Sequence, residues 1–211
     1  MCRLLCVKST QDFEITPHLE QLTKISRESK EYQGHGWGCA WVEDGVWRYY
    51  HNIDPIWQHD LKGFGKTTLL LAHARSAFRD EGITIENNMP FHDNRYAFIF
   101  NGELQGVRIK EQGRIGAEKI FNYIRRFDKG DMLTALTRAV GVINKKTRYV
   151  RAMNLVLADT NSAWLASGFN EDPNYFQMHK CESKDMKIVS SLPYADGPGW
   201  QVIPNSTIER V

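Results

Sequence analysis

The run Cys2-Arg3-Leu4-Leu5-Cys6-Val7 decides the fold class, because it is apolar on both of its alternating faces. A strand of this kind lies inside a sheet that is covered on both sides. Further along, Thr16-Pro17 supplies a helix N-cap followed by proline at the first helical position, so a helix is expected from there to a point before Gly34. The sequence therefore predicts a central strand followed by a helix.

The rest of the chain is predicted to form strands, then helices, then strands. The turn Glu43-Asp44-Gly45 between two aromatic-rich segments indicates a β-hairpin. A helical period appears at residues 116–126 and 131–143, where Leu133, Leu136, Val140 and Ile143 share one stripe. Strands are predicted at residues 38–42, 46–51, 69–75, 96–101, 153–158, 162–167, 175–179, 187–191 and 200–203. This order predicts antiparallel sheets packed with helices in one layered α+β domain over residues 1–211.

Charge and composition limit the classes of partner and compartment. Lys and Arg number 27 against 25 Asp and Glu, and the charges are mixed along the chain. So small a positive excess predicts neither a nucleic acid nor a membrane as a partner. The sequence has neither a long apolar span nor the pattern of a secretory signal. A cytoplasmic protein with four free thiols, Cys2, Cys6, Cys39 and Cys181, is therefore expected.

Two motifs resemble a phosphate-binding loop and a zinc site, but each has a simpler structural explanation. Gly63-Phe64-Gly65-Lys66-Thr67 matches the end of a phosphate-binding loop, but Asp60 stands where that loop needs another glycine. Cys2-x3-Cys6 and His35-x3-Cys39 could together supply four zinc ligands. The first pair lies in an apolar strand without a knuckle turn, so Cys6 and Cys39 are more simply small core residues. No metal and no cofactor are predicted.

Cys2 is the candidate nucleophile. Removal of Met1 would leave a residue that carries both a thiol and a free α-amine. The α-amine has a pKa of about 7.7 to 8.0 and can act as the general base for the thiol. The alternative is that the chain starts with Met-Cys by chance.

Arg75 and the pair Asn101-Gly102 are candidate binding groups. A guanidinium at the end of the apolar run at residues 69–72 needs an anion, either a substrate carboxylate or an internal acid. The Asn101 amide and the Gly102 backbone N–H can both point to one oxyanion, although Asn-Gly after a strand is usually a turn. The sequence alone leaves both choices open.

Five segments resemble, in order, the class II glutamine amidotransferase domain, an N-terminal-nucleophile hydrolase, in its small stand-alone form. They are Met1-Cys2-Arg3-Leu4, Gly34-His35-Gly36-Trp37-Gly38, His73-Ala74-Arg75-Ser76-Ala77, Asn87-Asn88-Met89-Pro90-Phe91 and Phe100-Asn101-Gly102-Glu103-Leu104. The resemblance implies a four-layer α/β/β/α sandwich of two antiparallel sheets flanked by helices. It also implies that Cys2 attacks, Asn101 and Gly102 form the oxyanion hole, and Arg75 binds the α-carboxylate of glutamine.

The implied reaction is hydrolysis of a γ-glutamyl amide through a γ-glutamyl thioester, with release of ammonia or an amine and then glutamate. The substrate is expected to be glutamine or another γ-glutamyl compound, and any ammonia would be used by a synthase partner subunit or released. The oligomeric state is not predicted. A catalytically lapsed relative that acts as a regulatory or assembly subunit is the alternative, but such a protein has no chemical need for all four site residues.

Three positions depart from the family pattern. Gly116 stands where the family commonly has the aspartate that binds the substrate α-ammonium, and Glu118 is a candidate replacement. Phe78 and Met89 replace a frequent threonine and histidine. These changes place ordinary glutamine specificity in question even if the thiol chemistry is retained.

Overall fold

A computed structural model of the protein describes residues 1–195, 197 and 199–211. Its first half contains strands β1 (Arg3–Glu14), β2 (Trp37–Glu43), β3 (Val46–Asn52), β4 (Lys66–Ala74), β5 (Phe91–His92) and β6 (Ala97–Val107), with helix α1 (Ile15–Arg27) after β1. Its second half contains helices α2 (Gly116–Arg125), α3 (Met132–Lys146) and α4 (Pro173–Phe176), and strands β7 (Thr147–Ala158), β8 (Ala163–Phe169), β9 (His179–Glu182), β10 (Met186–Ser190), β11 (Trp200–Val202) and β12 (Thr207–Arg210).

The strands form two antiparallel sheets. One has seven strands in the order β11-β9-β10-β1-β4-β2-β3, and the other has five in the order β12-β8-β7-β6-β5. Helix α1 contacts β1 and β4 of the first sheet, whereas α2 and α3 contact strands of the second. The layers are therefore helix, sheet, sheet, helix, which confirms the predicted α+β sandwich.

Strand β1 is buried on both faces, as its sequence predicts. Leu4 and Cys6 belong to the core between the two sheets. Leu5 and Val7 belong to a second core on the other face, which also contains Leu19 and other α1 residues. Because β1 is hydrogen-bonded to β10 on one side and β4 on the other, residues at its start are fixed in position from both sides.

Some local predictions were wrong. Helix α1 begins at Ile15 with Glu14 as N-cap, and the Thr16 hydroxyl instead donates to the Leu61 carbonyl at 2.7 Å. The strand predicted at residues 175–179 begins instead in helix α4, which ends at Phe176, and only its last residue, His179, belongs to a strand, β9. Pro173 occupies the first turn of α4, where the fixed φ of proline favours a helix. In α3 it is Met132, rather than the exposed Leu133, that packs in the core.

Candidate active site

Cys2 lies immediately before β1, beside the end of β4. Register pairs Arg3 with Ala74, so the cysteine is level with the residues that follow β4. Its buried Sγ makes a 3.6 Å contact with the Ser76 carbonyl. Burial raises the pKa of the Cys2 thiol, while the N-terminal ammonium and the Arg75 guanidinium oppose that rise. The thiol is therefore held protonated in this form, next to two positive charges that favour its thiolate.

Arg75 is held by the backbone and by neutral acceptors. Its N–H donates to the Gly36 carbonyl at 2.9 Å and its carbonyl accepts from His35 N at 3.1 Å. The guanidinium donates to Asn88 Oδ1 at 3.3 Å and to the Gly82 carbonyl at 2.8 Å. In the part of the chain that the structure describes, no carboxylate pairs with it, so the internal salt bridge considered from the sequence is not found there. A buried guanidinium held this way is suited to binding an anionic ligand.

Asn101 and Gly102 lie within β6 rather than in a turn. They pair with Asn154 and Met153 of β7. The Asn101 side chain is 1% exposed, and neither its Oδ1 nor its Nδ2 has a hydrogen-bond partner among the described residues. Buried amides are nearly always hydrogen-bonded in proteins, so a buried amide without a partner needs an explanation. Here the explanation is that the Asn101 amide is available to bind a ligand. At Gly102 an added Cβ would lie 2.2 Å from the Ala152 carbonyl oxygen, so only glycine fits.

Packing around Met1 connects the two sheets at this site. Met1 contacts a small apolar cluster of Ala152, Tyr175 and Phe176. Ala152 is the residue whose carbonyl borders Gly102. The structure thus places the start of β1, the end of β4 and the Asn101-Gly102 segment of β6 at the same place between the sheets.

A group of polar side chains holds Met1 in position, and no pattern in the sequence indicates this group. The α-ammonium pairs with Glu31. The Met1 carbonyl accepts from Gln33 Nε2 at 2.7 Å and from the Tyr175 hydroxyl. The Arg3 guanidinium lies 4.0 Å from the centre of the Tyr175 ring. These contacts fix the peptide bond that must be cleaved to free the Cys2 α-amine.

His73 is a second residue with no role assigned from sequence. Its fully buried ring places Nε2 3.2 Å from the Phe100 carbonyl, which links β4 to the peptide that precedes Asn101. Burial, with a smaller effect of the Arg75 charge, lowers the pKa of His73 to about 3. The ring is therefore neutral near pH 7. The signal that the sequence offered was its place in the segment His73-Ala74-Arg75-Ser76-Ala77, two residues before Arg75.

The pKa of His73 predicts an acid-sensitive fold. Unfolded histidine gains a proton near pH 6.5, so the stability that the neutral ring provides is complete above pH 6.5 and is lost as the pH falls towards 3. Between pH 7 and pH 5, we expect wild-type protein to lose about 2 kcal/mol more unfolding free energy than His73→Gln. Urea unfolding at the two pH values measures this. Equal losses in the two proteins would contradict the assignment.

The positions that depart from the family pattern differ in environment. A Cβ added at Gly116, the first residue of α2, would have no neighbour within 4 Å. Glu118 is bound to Arg114, with Oε1 at 3.0 Å from Nε and 2.5 Å from Nη2, and this pairing lowers the pKa of the Glu118 carboxyl. Glu118 is therefore already neutralised and is a poor replacement for the missing aspartate. Phe78 is exposed, whereas Met89 is buried.

The two alternative ligand sites are not supported by the positions of their residues. Lys66 begins strand β4 with an exposed side chain, whereas a phosphate-binding loop leads into a helix. Cys6 lies between the sheets and Cys39 on the α1 side of the first sheet. Over residues 1–195, 197 and 199–211, no three side chains of the metal-binding types are grouped to hold an ion. None of the helices described is both long and apolar enough to cross a membrane.

The comparisons with known proteins bear on this fold. No family model matches the sequence. A glutamine aminotransferase class-II domain protein from Silicibacter pomeroyi has 15% identity and a TM-score of 0.66, with 99% of this chain and 94% of that one covered. A predicted glutamine amidotransferase from Pseudomonas aeruginosa has 17% identity and a TM-score of 0.61, with 99% and 96% covered.

A curated relative is also similar in sequence. It is the γ-glutamyl-hercynylcysteine sulfoxide hydrolase of Mycolicibacterium smegmatis, 25% identical over 221 residues, with 97% of this chain and 93% of the relative covered. The structural likenesses extend along nearly the whole chain, including the second half, for which the sequence offered few motifs. The protein has the fold of the class II glutamine amidotransferase domain.

Proposed function

We propose that the protein is an amidohydrolase that cleaves γ-glutamyl amides with Cys2 as an N-terminal nucleophile. The observation that carries the proposal is the convergence of three groups. A buried thiol lies beside a guanidinium that has no carboxylate partner in the described chain, and a buried asparagine amide with no partner there lies on the facing sheet. A substrate with an amide carbonyl and a carboxylate would offer a carbon for the thiol to attack, an oxygen for the asparagine amide to bind and an anion for the guanidinium.

The proposed reaction begins after Met1 is removed. The Cys2 α-amine takes the thiol proton, and Sγ attacks the side-chain carbonyl of the γ-glutamyl group. Asn101 Nδ2 and the Gly102 N–H donate to the oxyanion that develops on that carbonyl, while Arg75 binds the α-carboxylate. The α-ammonium then returns its proton to the amide nitrogen, and collapse breaks the C–N bond, which releases ammonia or an amine and leaves the thioester. Water then attacks the thioester, which yields glutamate and frees the thiol.

Met1 must leave for two physical reasons. The first is that, while Met1 is attached, the Cys2 nitrogen is an amide and cannot act as a base. The second is that Met1 occupies space at the site. Two large clefts, of about 550 Å³ on the outer side of the five-stranded sheet and about 680 Å³ near the β2–β3 turn, lie elsewhere, because Cys2, Arg75 and Asn101 do not line them. Since Met1 packs against Ala152 and Tyr175 at the site, its removal would vacate space beside the thiol.

The relatives support the type of reaction. The Mycolicibacterium relative is named as a hydrolase of a γ-glutamyl compound, and the Pseudomonas structural neighbour is named as a predicted glutamine amidotransferase. Both names fit attack on a γ-glutamyl carbonyl. The two names differ in the fate of the released amine. In this chain that fate depends on the surface around the site.

Release of glutamate tests the proposal. Protein whose intact mass shows loss of Met1 is incubated with glutamine and with γ-glutamyl alkylamides, and glutamate is measured against time. We expect stoichiometric formation of glutamate and amine from at least one of these substrates. If fully processed protein releases no glutamate from any of them, the alternative of a catalytically lapsed subunit is favoured.

Gly116 offers a gain-of-function test of the substrate assignment. Because nothing lies within 4 Å of an added Cβ, Gly116→Asp is tolerated, and an acid in the first turn of α2 is also favourable to the helix. Where the family resemblance holds, the new carboxylate pairs with the substrate α-ammonium. We expect the KM for glutamine to fall about tenfold, the effect of one ion pair of modest strength.

Two controls separate charge from shape. Gly116→Asn has nearly the same size without the charge and should leave the KM for glutamine near its wild-type value. Glutaramate, which has the same amide but no α-amine, should gain nothing from Gly116→Asp. An equal change for both substrates would show that the aspartate does not contact the ammonium.

A further inference from the structure

Met1 occupies a nearly closed space that has both polar and apolar walls. Its side chain is 12% exposed, its ammonium forms an ion pair, and its carbonyl accepts two hydrogen bonds. The residues that make these contacts, which we call the Met1 subsite, are Glu31, Gln33, Ala152, Tyr175 and Phe176. Once Met1 is removed, as the proposed function requires, this subsite is vacant and borders the Cys2 nitrogen.

Removal of Met1 leaves the Glu31 carboxylate without its cation. Within the described chain, the Met1 ammonium is the one positive group that forms an ion pair with Glu31. The Arg3 guanidinium donates instead to the Tyr175 carbonyl at 3.3 Å, and Arg151 pairs with other carboxylates. The Glu31 side chain is 35% exposed, so a new cation at this position would form a partly desolvated, charge-assisted hydrogen bond with it.

Gln33 adds a second acceptor to the subsite. It is fully buried, and its Nε2 donates to the Met1 carbonyl at 2.7 Å and to the Glu31 carbonyl at 2.8 Å. Its Oε1, on the same amide group, has no hydrogen-bond partner among the residues that the structure describes. A buried amide oxygen of this kind needs a donor. A carboxylate and a free amide oxygen beside the apolar walls of Ala152 and Phe176 are suited to an alkyl ammonium group.

The proton transfers of the proposed reaction place the amine portion of the substrate next to this subsite. The Cys2 α-amine takes the thiol proton and returns it to the leaving nitrogen, so that nitrogen must lie within a hydrogen bond, about 3 Å, of the Cys2 nitrogen. Met1 is bonded to the same Cys2 nitrogen, so the space it occupies adjoins the leaving nitrogen. Arg75, which is assigned to the α-carboxylate, lies instead beside the thiol, because Cys2 Sγ contacts the carbonyl of the next residue, Ser76. The two ends of the substrate therefore have separate binding groups.

We propose, on the basis of the proposed function, that the vacated Met1 subsite binds the amine portion of the substrate, and that this portion carries a second, positively charged nitrogen on a short alkyl chain. Glu31 pairs with that ammonium as it pairs with the Met1 ammonium, and the alkyl chain packs on Ala152 and Phe176. Hydrolysis then converts the γ-glutamyl amide of a diamine and one water into glutamate and the free diamine. Ammonia as the leaving group would use none of these contacts.

Two amides of equal length test the proposal, namely γ-glutamyl-ω-aminobutylamide and γ-glutamyl-pentylamide, which differ in a terminal ammonium against a methyl group. For processed wild-type protein we expect kcat/KM to be about tenfold higher for the aminobutylamide, the usual effect of one hydrogen bond to a charged group. In Glu31→Gln the ratio of the two values should fall to near one. Glu28→Gln, which removes an exposed carboxylate three residues earlier, should keep the wild-type ratio. An unchanged ratio in Glu31→Gln would overturn the proposal and assign Glu31 to the Cys2 ammonium instead.

Calorimetry with processed Cys2→Ala protein separates this proposal from the proposed function, because binding needs no nucleophile. The aminobutylamide should bind about tenfold more tightly than the pentylamide. That preference should be lost when Glu31→Gln is added, and also in Cys2→Ala protein that retains Met1 because methionine aminopeptidase was inhibited during expression. This result would support the Met1 subsite even if the wild type hydrolysed nothing, in which case only the proposed function fails. Equal affinities of the two amides for the processed protein would overturn the subsite, whatever the wild type hydrolyses.

Discussion

Replacing Cys2 by alanine is expected to abolish hydrolysis of γ-glutamyl amides, with a loss in kcat of at least about 10⁴-fold, as for removal of other enzymes' nucleophiles. The fold should survive, because among the described residues the thiol makes one hydrogen bond, a long one of 3.6 Å to the Ser76 carbonyl. Alanine is also small enough at this position for Met1 to be removed. Steady-state glutamate release and a thermal melt on the same sample measure the two expectations.

The other buried cysteines are matched controls. Cys6 lies between the sheets and Cys39 on the opposite face of the first sheet, so each tests loss of a buried thiol without loss of the nucleophile. Cys6→Ala and Cys39→Ala should lose some stability and keep kcat within about threefold. Full activity in Cys2→Ala would refute the mechanism, and equal losses in all three variants would attribute the effect to packing.

Asn101→Ala is expected to lower kcat by about 10²- to 10³-fold, the usual effect of removing one oxyanion donor. Its effect on stability should be small, because the Asn101 amide has no hydrogen-bond partner within the described chain and none is broken. KM should change little, since the donor acts on a charge that develops only during attack. Kinetics with a γ-glutamyl amide, together with urea unfolding, measure the two effects separately.

Asn170 provides the control for this substitution. Its exposed side chain donates to the Val150 carbonyl at 2.7 Å, so it tests loss of an asparagine amide beside the same sheet without loss of a proposed oxyanion donor. Asn170→Ala should leave kcat unchanged. An Asn101→Ala protein with wild-type kcat would remove Asn101 from the oxyanion hole, whereas a large fall in stability would show that its amide has a structural role instead.

Much of the fold could be predicted because local pattern and tertiary environment agree. The double-sided apolar run that became β1 and the acidic-glycine turn between β2 and β3 are examples. The strand predicted at residues 175–179 was wrong because Tyr175 and Phe176 have strand-like side chains, and the proline before them was given too little weight. Strand β12 was missed because four residues of mixed polarity become a strand only by pairing with β8.

The candidate site could be predicted only in part. The resemblance supplied Cys2, Arg75, Asn101 and Gly102, and the structure places the segments that carry them together. It could not supply Gln33 and Tyr175, which reach the Met1 carbonyl from positions 32 and 174 residues away. Nor could it show that Glu118 is paired with Arg114. The Met1 contacts depend on which distant segments the sheets bring into register, which a single sequence does not record, whereas the Arg114–Glu118 pair is local and its spacing of four residues was a signal that could have been used.

Covalent labelling of processed protein tests the central claim most directly. The protein is first shown by intact mass to lack Met1, and is then incubated with a diazoketone analogue of glutamine and digested. We expect one adduct per chain on the Cys2 sulfur, none on Cys6, Cys39 or Cys181, and protection by excess glutamine. A processed chain that remains unlabelled at Cys2, or unprocessed protein that is labelled at Cys2 as fast as the processed protein, would contradict the account.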